Sequence, residues 1–230
     1  MAHVQTVTDL IAIARAELQT QLSRMAKSRK SVSIEDFKTL FITRAQMAMA
    51  DRKNFSPFVI DESNADVIFL LYKYVTYQKC ELNPHIGVIF NGTYGCGKSV
   101  LAETLCMVLN DLTWSEKNKI ESVHAVELAE QIKKVGVIPY AHKPLLIQDL
   151  GKEKKEINNF GTIVNPISEL LAIRAEYGAM TFGSTNMKIE SFKDAYKEFI
   201  SKRITEHVNL VFLPGTDRRP SFLINQPQAT

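Results

Sequence analysis

A mixed α/β domain, with a parallel sheet covered by helices on both faces, is predicted by three observations. The run Gly92-Thr93-Tyr94-Gly95-Cys96-Gly97-Lys98-Ser99 fills every required position of the phosphate-binding pattern G-x-x-x-x-G-K-[ST]. It lies between a strand-like apolar run, Ile86-Gly87-Val88-Ile89-Phe90, and a helical segment through Val100, Leu101 and Leu109. Beyond it, short apolar runs alternate with helical patterns as far as Leu213.

The elements follow in order. Val4, Val7, Ile11, Ala14, Leu18, Leu22 and Met25 recur at steps of three and four, which predicts one apolar face of a long helix. Such a face must pack on something, either a partner or its own domain. A second helix is predicted from Ser33, whose hydroxyl caps it with Asp36 three residues on, and continues through Phe37, Leu40, Phe41 and Ala45. Phe55-Ser56-Pro57-Phe58 breaks that pattern. A third helix is expected over about 63–78, carrying the block Val67-Ile68-Phe69-Leu70-Leu71, and Asn83-Pro84 separates it from the first strand. After the glycine run, a short strand is expected at 122–126, a helix through Leu128 and Ile132, and a buried strand at Leu145-Leu146-Ile147. A helix through Ile167, Leu170, Leu171 and Ile173 then leads into Met180-Thr181-Phe182-Gly183-Ser184. A last helix, about 192–205, leads into Asn209-Leu210-Val211-Phe212-Leu213, which Pro214-Gly215 ends.

Composition narrows the class. With 230 residues, 45% apolar and 23% charged, the chain can bury a full core. No stretch approaches the roughly eighteen consecutive apolar residues that cross a bilayer, and no basic-then-apolar secretory leader opens it. A cytoplasmic protein without a membrane partner is expected. Cys80, Cys96 and Cys106 lack metal-ligand or disulfide spacing. The net charge of +3 names no polyanion partner. Two short basic segments, one of Arg24, Lys27, Arg29 and Lys30 and one of Lys152, Lys154 and Lys155 in an expected loop, are candidates for nucleic-acid phosphates or simply solvated surface.

The chemistry starts from the glycine run. Glycines let the backbone curl so that its N–H groups face a phosphate, Lys98 adds a cation for the outer phosphates, and Ser99 offers a hydroxyl to Mg²⁺ where a helix begins. The expected ATP-binding set is Gly92, Thr93, Tyr94, Gly95, Cys96, Gly97, Lys98, Ser99 and Val100. Hydrolysis also requires a held metal, a positioned water and neutralisation of the charge on the transferred group. The candidates sit at successive strand ends. Asp149 follows Leu145-Leu146-Ile147-Gln148, Asn186 follows the next strand, and Arg203 precedes the last one, from where it can reach a neighbouring subunit's phosphate. Each residue type is also common as a cap, turn or surface residue.

From about residue 57 onward the chain resembles the AAA+ ATPases of the DnaC-type helicase loaders and their IstB-type relatives that assist transposition. The resemblance rests on the glycine run, on Leu145-Leu146-Ile147-Gln148-Asp149-Leu150-Gly151-Lys152-Glu153, and on Leu171-Ala172-Ile173-Arg174-Ala175-Glu176-Tyr177. Ser184-Thr185-Asn186, Ser201-Lys202-Arg203-Ile204 and Gly215-Thr216-Asp217-Arg218-Arg219 complete it. It implies a five-stranded parallel sheet of the P-loop NTPase (AAA+) type over 56–230, with a helical, partner-binding region at 1–55 and no full helical lid. It further implies Asn186 as sensor of the γ-phosphate, Arg203 as the finger offered to an adjacent protomer, and Arg218 or Arg219 as a second sensor. The expected setting is DNA replication, with a replicative helicase as partner, single-stranded DNA as a possible second one, and self-association through the ATP site. The family carries two acidic residues where this chain has Gln148-Asp149. Either Gln148 replaces the metal-side acid, or Asp149 is that acid and Leu150 replaces the catalytic one. Both alignments predict weak ATPase activity. The competing readings are an IstB-like transposition regulator, a P-loop kinase and a nucleotide-binding adaptor without useful catalysis.

Overall fold

The computed structural model describes residues 6–26, 29–153, 157–159, 162–188, 191, 196, 198–215 and 217–218. In chain order the elements are α1 (Val7–Ala26), α2 (Ile34–Ala50), α3 (Ala65–Val75), β1 (Gly87–Gly92), α4 (Lys98–Leu112), β2 (Glu121–His124), α5 (Ala125–Val135) and β3 (Leu145–Leu150). They continue with β4 (Ile157–Asn159), β5 (Thr162–Val164), α6 (Pro166–Glu176), β6 (Thr181–Thr185), α7 (Glu198–His207) and β7 (Val208–Leu213). Five strands form the main sheet in the order β2-β3-β6-β1-β7, and every pairing in it is parallel.

Burial on both faces explains the apolar runs read from the sequence. Val88 and Phe90 of β1 enter one core with α2, α3 and α4, whereas Ile89 between them enters the other with α5, α6 and α7. Leu146 and its neighbours Leu145 and Ile147 divide in the same way, as the two-residue repeat of a strand requires. β1 lies between β6 and β7, so its connection through α4 runs toward β2 on one side while β7 closes the other. A crevice at the carboxyl ends of β1 and β6 results, which is where open parallel sheets take ligands.

The N-terminal helices fare differently from each other. Ser33 caps α2, accepting from the Asp36 backbone N–H at 3.0 Å. Phe37 and Phe41 are fully buried against Tyr72 and Phe58, and Arg44 forks onto both Asp111 oxygens of α4 at 2.6 Å. That fork holds the Arg44 pKa above its ordinary value. α2 is thus part of the core, and a boundary at residue 55 does not separate two cores. None of the described α1 side chains joins either core: Val7 is 74% exposed, and Leu10, Ile11 and Leu18 are exposed with it. Of the expected apolar face, Val7, Ile11, Ala14 and Leu18 are exposed, while Val4 and the side chains of Leu22 and Met25 lie outside the described residues.

Two of the basic residues offered as phosphate contacts act within the chain. Arg29 donates to the carbonyls of Tyr74, Val75 and Pro84 and covers the Tyr77 ring at 4.6 Å. Lys30 reaches the Asp111 carbonyl at 3.0 Å. Both cations serve helix C-termini, where carbonyls lack partners and the dipole favours positive charge. Beyond the loop expected around Lys152 lies an antiparallel hairpin, β4 with β5, in which Ile157 pairs with Val164. Lys154 and Lys155 lie outside the described residues. The strand expected at 122–126 ends at His124, because Ala125 already starts α5.

Fully buried Arg174 of α6 ties that helix to the sheet base, donating to the Thr181 hydroxyl and to the carbonyls of Tyr140, Lys143 and Met180. Burial without a carboxylate lowers its pKa to about 10.

The contrast between α1 and α2 sets a measurable expectation. In urea unfolding, Phe41→Ala lowers stability by ~3–5 kcal/mol, whereas Leu10→Ala changes it by less than ~0.5 kcal/mol. Equal effects at the two positions would show that α1 is packed as α2 is.

Candidate functional site

The glycine run turns at the carboxyl end of β1, where Gly95 (φ 77°) and Gly97 (φ 98°) adopt backbone conformations that side chains disfavour. A Cβ placed on Gly97 would meet no atom within 4 Å, so the concave side of the loop is open at the point where α4 begins. Backbone N–H groups at a helix start, with space before them, suit a phosphate. Lys98 is buried, and its ammonium lies within the loop, donating to the Thr93 carbonyl and lying 3.8 Å from Cys96 Sγ. Cys96 itself is buried in the core beside α4. All three cysteines are free thiols.

The acidic strand end is brought to this loop by one hydroxyl. Ser184 of β6, fully buried, stands 3.3 Å from Ser99 Oγ and accepts from the Asp149 backbone N–H at 3.1 Å. The β3–β6 register shifts here, between the pairs Ile147–Gly183 and Leu150–Thr185, which places Gln148 and Asp149 opposite Ser184 alone. Such a bulge turns neighbouring side chains in different directions. Asp149 takes a left-handed conformation (φ 59°), one that Asp tolerates better than most residues. Its carboxylate is 27% exposed and pairs with Lys152 at 2.9 Å.

Gln148 points elsewhere. Its amide donates to Ser122 Oγ at 2.9 Å and accepts from Arg52 at 3.2 Å. Leu150 is buried in the α5–α7 core and cannot occupy a catalytic position. Both alignments left open by the sequence give Asp149 a role; it lines the cavity over the glycine run, and both of its neighbours are directed elsewhere.

Two cavities meet over the loop. One, of about 500 Å³, is lined by Arg52, Lys53, Tyr94, Lys98, Ser99, Asp149, Lys152 and Asn186, among others, and Asp149 is the one carboxylate among the described residues of that lining. The other, of about 520 Å³, is lined by Phe58, Val59, Asp61, Asn64, Cys96, Leu101 and Arg218, among others. Met49, Asn54, Gly95, Gly97 and Val100 border both. The first is polar and carries the phosphate-loop cation. The second is more apolar and suits a base and sugar. Both have the size of ligand sites.

Asn186 lines the same cavity as Lys98, Ser99 and Asp149, and Arg203 and Arg218 lie outside it. Arg203 on α7 pairs with Glu176 at 2.5 Å and lines neither cavity. Arg218 borders the second cavity instead of the first: its backbone N–H donates to the Gly95 carbonyl at 3.1 Å and its guanidinium binds Asp61. Ser63 first, then Arg218, holds the Asp61 carboxyl below the usual range. That pair therefore stays ionised at any pH above the carboxylate range and is lost only in acid. Arg219 and Thr216 lie outside the described residues. Ser99 and Asp149 form a hydroxyl-plus-carboxylate set that fits Mg²⁺, an ion that takes few protein ligands when phosphates supply the others.

Three features escaped the sequence reading. Ser184 stood inside a matched turn but gave no sign that it would join Ser99 to Asp149. The wall formed by residues 49–59 was read as a helix end and breaker, since nothing local says what a loop will face. The β4–β5 hairpin had a signal, β-branched residues around Asn and Gly, that the lysine run obscured.

No protein-family model matches the sequence, and no curated protein does either. Among solved structures the chain is similar to the DnaC helicase loader, at a TM-score of 0.54 and 16% identity over 68% of this chain and 93% of that one. It is also similar to DnaI, at a TM-score of 0.52 and 18% identity over 70% and 87%. No helix among the described residues is long and apolar enough to cross a membrane. The chain shares its fold, a five-stranded parallel sheet with helices on both faces, with these two structures.

Proposed function

We propose that the chain is an ATP-binding AAA+ protein of DNA replication, a DnaC-like loader that binds a replicative helicase and hydrolyses ATP slowly. The observation that carries this reading is the convergence of Lys98, Ser99, Asp149 and Asn186 on one cavity while Arg203 faces away from it. A site furnished for the phosphates in one protomer, with its arginine directed elsewhere, suits nucleotide held between subunits.

In this reading the loop N–H groups and Lys98 bind the triphosphate, and the cavity bordered by Phe58, Val59 and Asn64 takes the nucleoside. Ser99 and Asp149 hold Mg²⁺, which neutralises charge on the outer phosphates. Asn186 orients the attacking water, and Arg203 of an adjacent protomer supports the charge that develops on the transferred group. Asp149 is restrained by Lys152 and Gln148 offers no charge, so turnover is slow and occupancy controls assembly. The exposed apolar residues Val7, Leu10, Ile11 and Leu18 favour α1 as the helicase-binding element of residues 1–55, whereas α2 packs into the core of the ATPase domain of 56–230. Single-stranded DNA is the second partner, and the cytoplasm is the compartment that this function entails.

A nucleotide-binding adaptor without useful catalysis is the second reading, favoured by the engagement of Gln148 with Ser122 and Arg52. An IstB-like regulator of transposition would share the same core and differ in its partner.

Two outcomes are expected. Arg203→Ala leaves ATP affinity of the dilute protein within about twofold but lowers ATP-dependent association and hydrolysis at least about tenfold, as removal of a transition-state arginine does. Sedimentation and phosphate-release assays read both, and parental behaviour in the variant contradicts the shared site. In affinity capture from the native host, ATP-dependent recovery of a replicative helicase is lost when residues 1–26, which carry α1 but none of the α2 core, are removed. Recovery of a transposase in its place would assign the chain to the regulator class.

A further inference from the structure

The end of α2 delivers a charged side chain to the outer-phosphate cavity, and nothing in the proposed chemistry uses it. Arg52 lies two residues past Ala50, the last residue of α2, and lines that cavity together with Lys98, Ser99, Asp149 and Asn186. It is absent from the lining of the neighbouring cavity, where Asp61 and Arg218 stand. Three contacts fix the guanidinium. Nη1 donates to the Ala48 carbonyl at 2.5 Å, while Nη2 pairs with Glu103 Oε2 at 2.6 Å and donates to Gln148 Oε1 at 3.2 Å. The side chain remains 35% exposed, so its charge is both held and accessible.

We infer that Arg52 is a triphosphate-sensing residue supplied within the same protomer, a cation that contacts the outermost phosphate and links its presence to the end of α2. The inference rests on the ATP reading above.

The surroundings explain why Arg52 is suited to this. Glu103 lies one helical turn beyond Ser99 on α4, so the guanidinium is anchored against the helix that carries the phosphate loop. Its other partner, Gln148, is neutral. A carboxylate at that position would hold Arg52 between two anions and quench its charge, whereas the amide orients it and leaves one anion to compete with a phosphate. The cavity lining then presents Arg52, Lys53, Lys98 and Lys152 against the single carboxylate of Asp149, a balance that favours a highly charged anion. A planar guanidinium with several N–H donors also matches phosphate oxygens better than a point charge does. The neutral side chain at 148 and the cation at 52 therefore belong to one arrangement. Because the Arg52 backbone N–H also bonds the Met49 carbonyl at 3.0 Å, a guanidinium shift toward phosphate would be transmitted to the terminal turn of α2.

The test is the affinity of the full chain for ATP and for ADP, measured by calorimetric titration for the parent, Arg52→Lys, Arg52→Ala and the double variant Arg52→Ala with Glu103→Gln. The double variant leaves no buried carboxylate unpaired and decides the matter where Arg52→Ala alone does not fold. Circular dichroism melts report the fold of each. The expected result is an ATP affinity at least about tenfold weaker in both alanine variants, the loss of a charge-assisted contact. ADP affinity should stay within about twofold, and Arg52→Lys should recover part of the ATP preference. A folded double variant with the parent's ATP-to-ADP ratio overturns the inference, as does an equal loss of both nucleotides, which marks a merely structural role. A parent that binds neither nucleotide overturns the ATP reading and this inference together.

Discussion

The fold of the site depends on one local constraint, the two-against-one register between β3 and β6. Regular pairing through 148 and 149 would put successive side chains on opposite faces of the sheet. The shift instead sets both residues opposite Ser184, whose hydroxyl takes the Asp149 N–H and stands beside Ser99. Asp149 is thereby turned, in a left-handed conformation, toward the phosphate loop. Gln148 is left to Ser122 and Arg52. One irregularity thus separates Asp149, which lines the cavity over the glycine run, from Gln148, which does not.

The larger frame keeps that irregularity in place. β6 is held between β3 and β1, so Ser184 is buried and its neighbours are fixed by parallel ladders on both sides. α2 and α4 are clamped by the Arg44–Asp111 fork and by the Phe37 and Phe41 rings. That clamp carries the 49–59 segment across the mouth of both cavities. The C-terminal segment adds a second tie, through Thr93 to the Gly215 carbonyl at 2.8 Å and Arg218 to Asp61. The candidate site is therefore built from three stretches distant in sequence, and none of the described α1 side chains belongs to them.

Much of this was legible in the residues. The glycine run, the doubly buried strands and the order of strand-end polar residues fixed the sheet and placed Lys98, Ser99, Asp149 and Asn186 together, because each depends on short-range chemistry. Ser33 as a cap and the breaker at 55–58 were legible for the same reason. What was hidden depends on contacts distant in sequence. Periodicity shows that α1 and α2 each have an apolar face, but only packing shows that Phe41 is buried and Leu10 is not. A run of basic residues does not reveal that Arg29 and Lys30 cap helices. The different directions of Gln148 and Asp149 depend on a register shift with β6, which has no signature within β3 itself.

The most direct test of the account is the single-turnover rate of ATP hydrolysis by the chain at saturating Mg²⁺ and protein. A site with Asp149 as the sole cavity carboxylate and Gln148 diverted from it should hydrolyse bound ATP more slowly than about 1 s⁻¹, the lower end of ordinary enzyme turnover. A rate well above that, or a rate unchanged by Asp149→Asn, would contradict the assignment of the two residues.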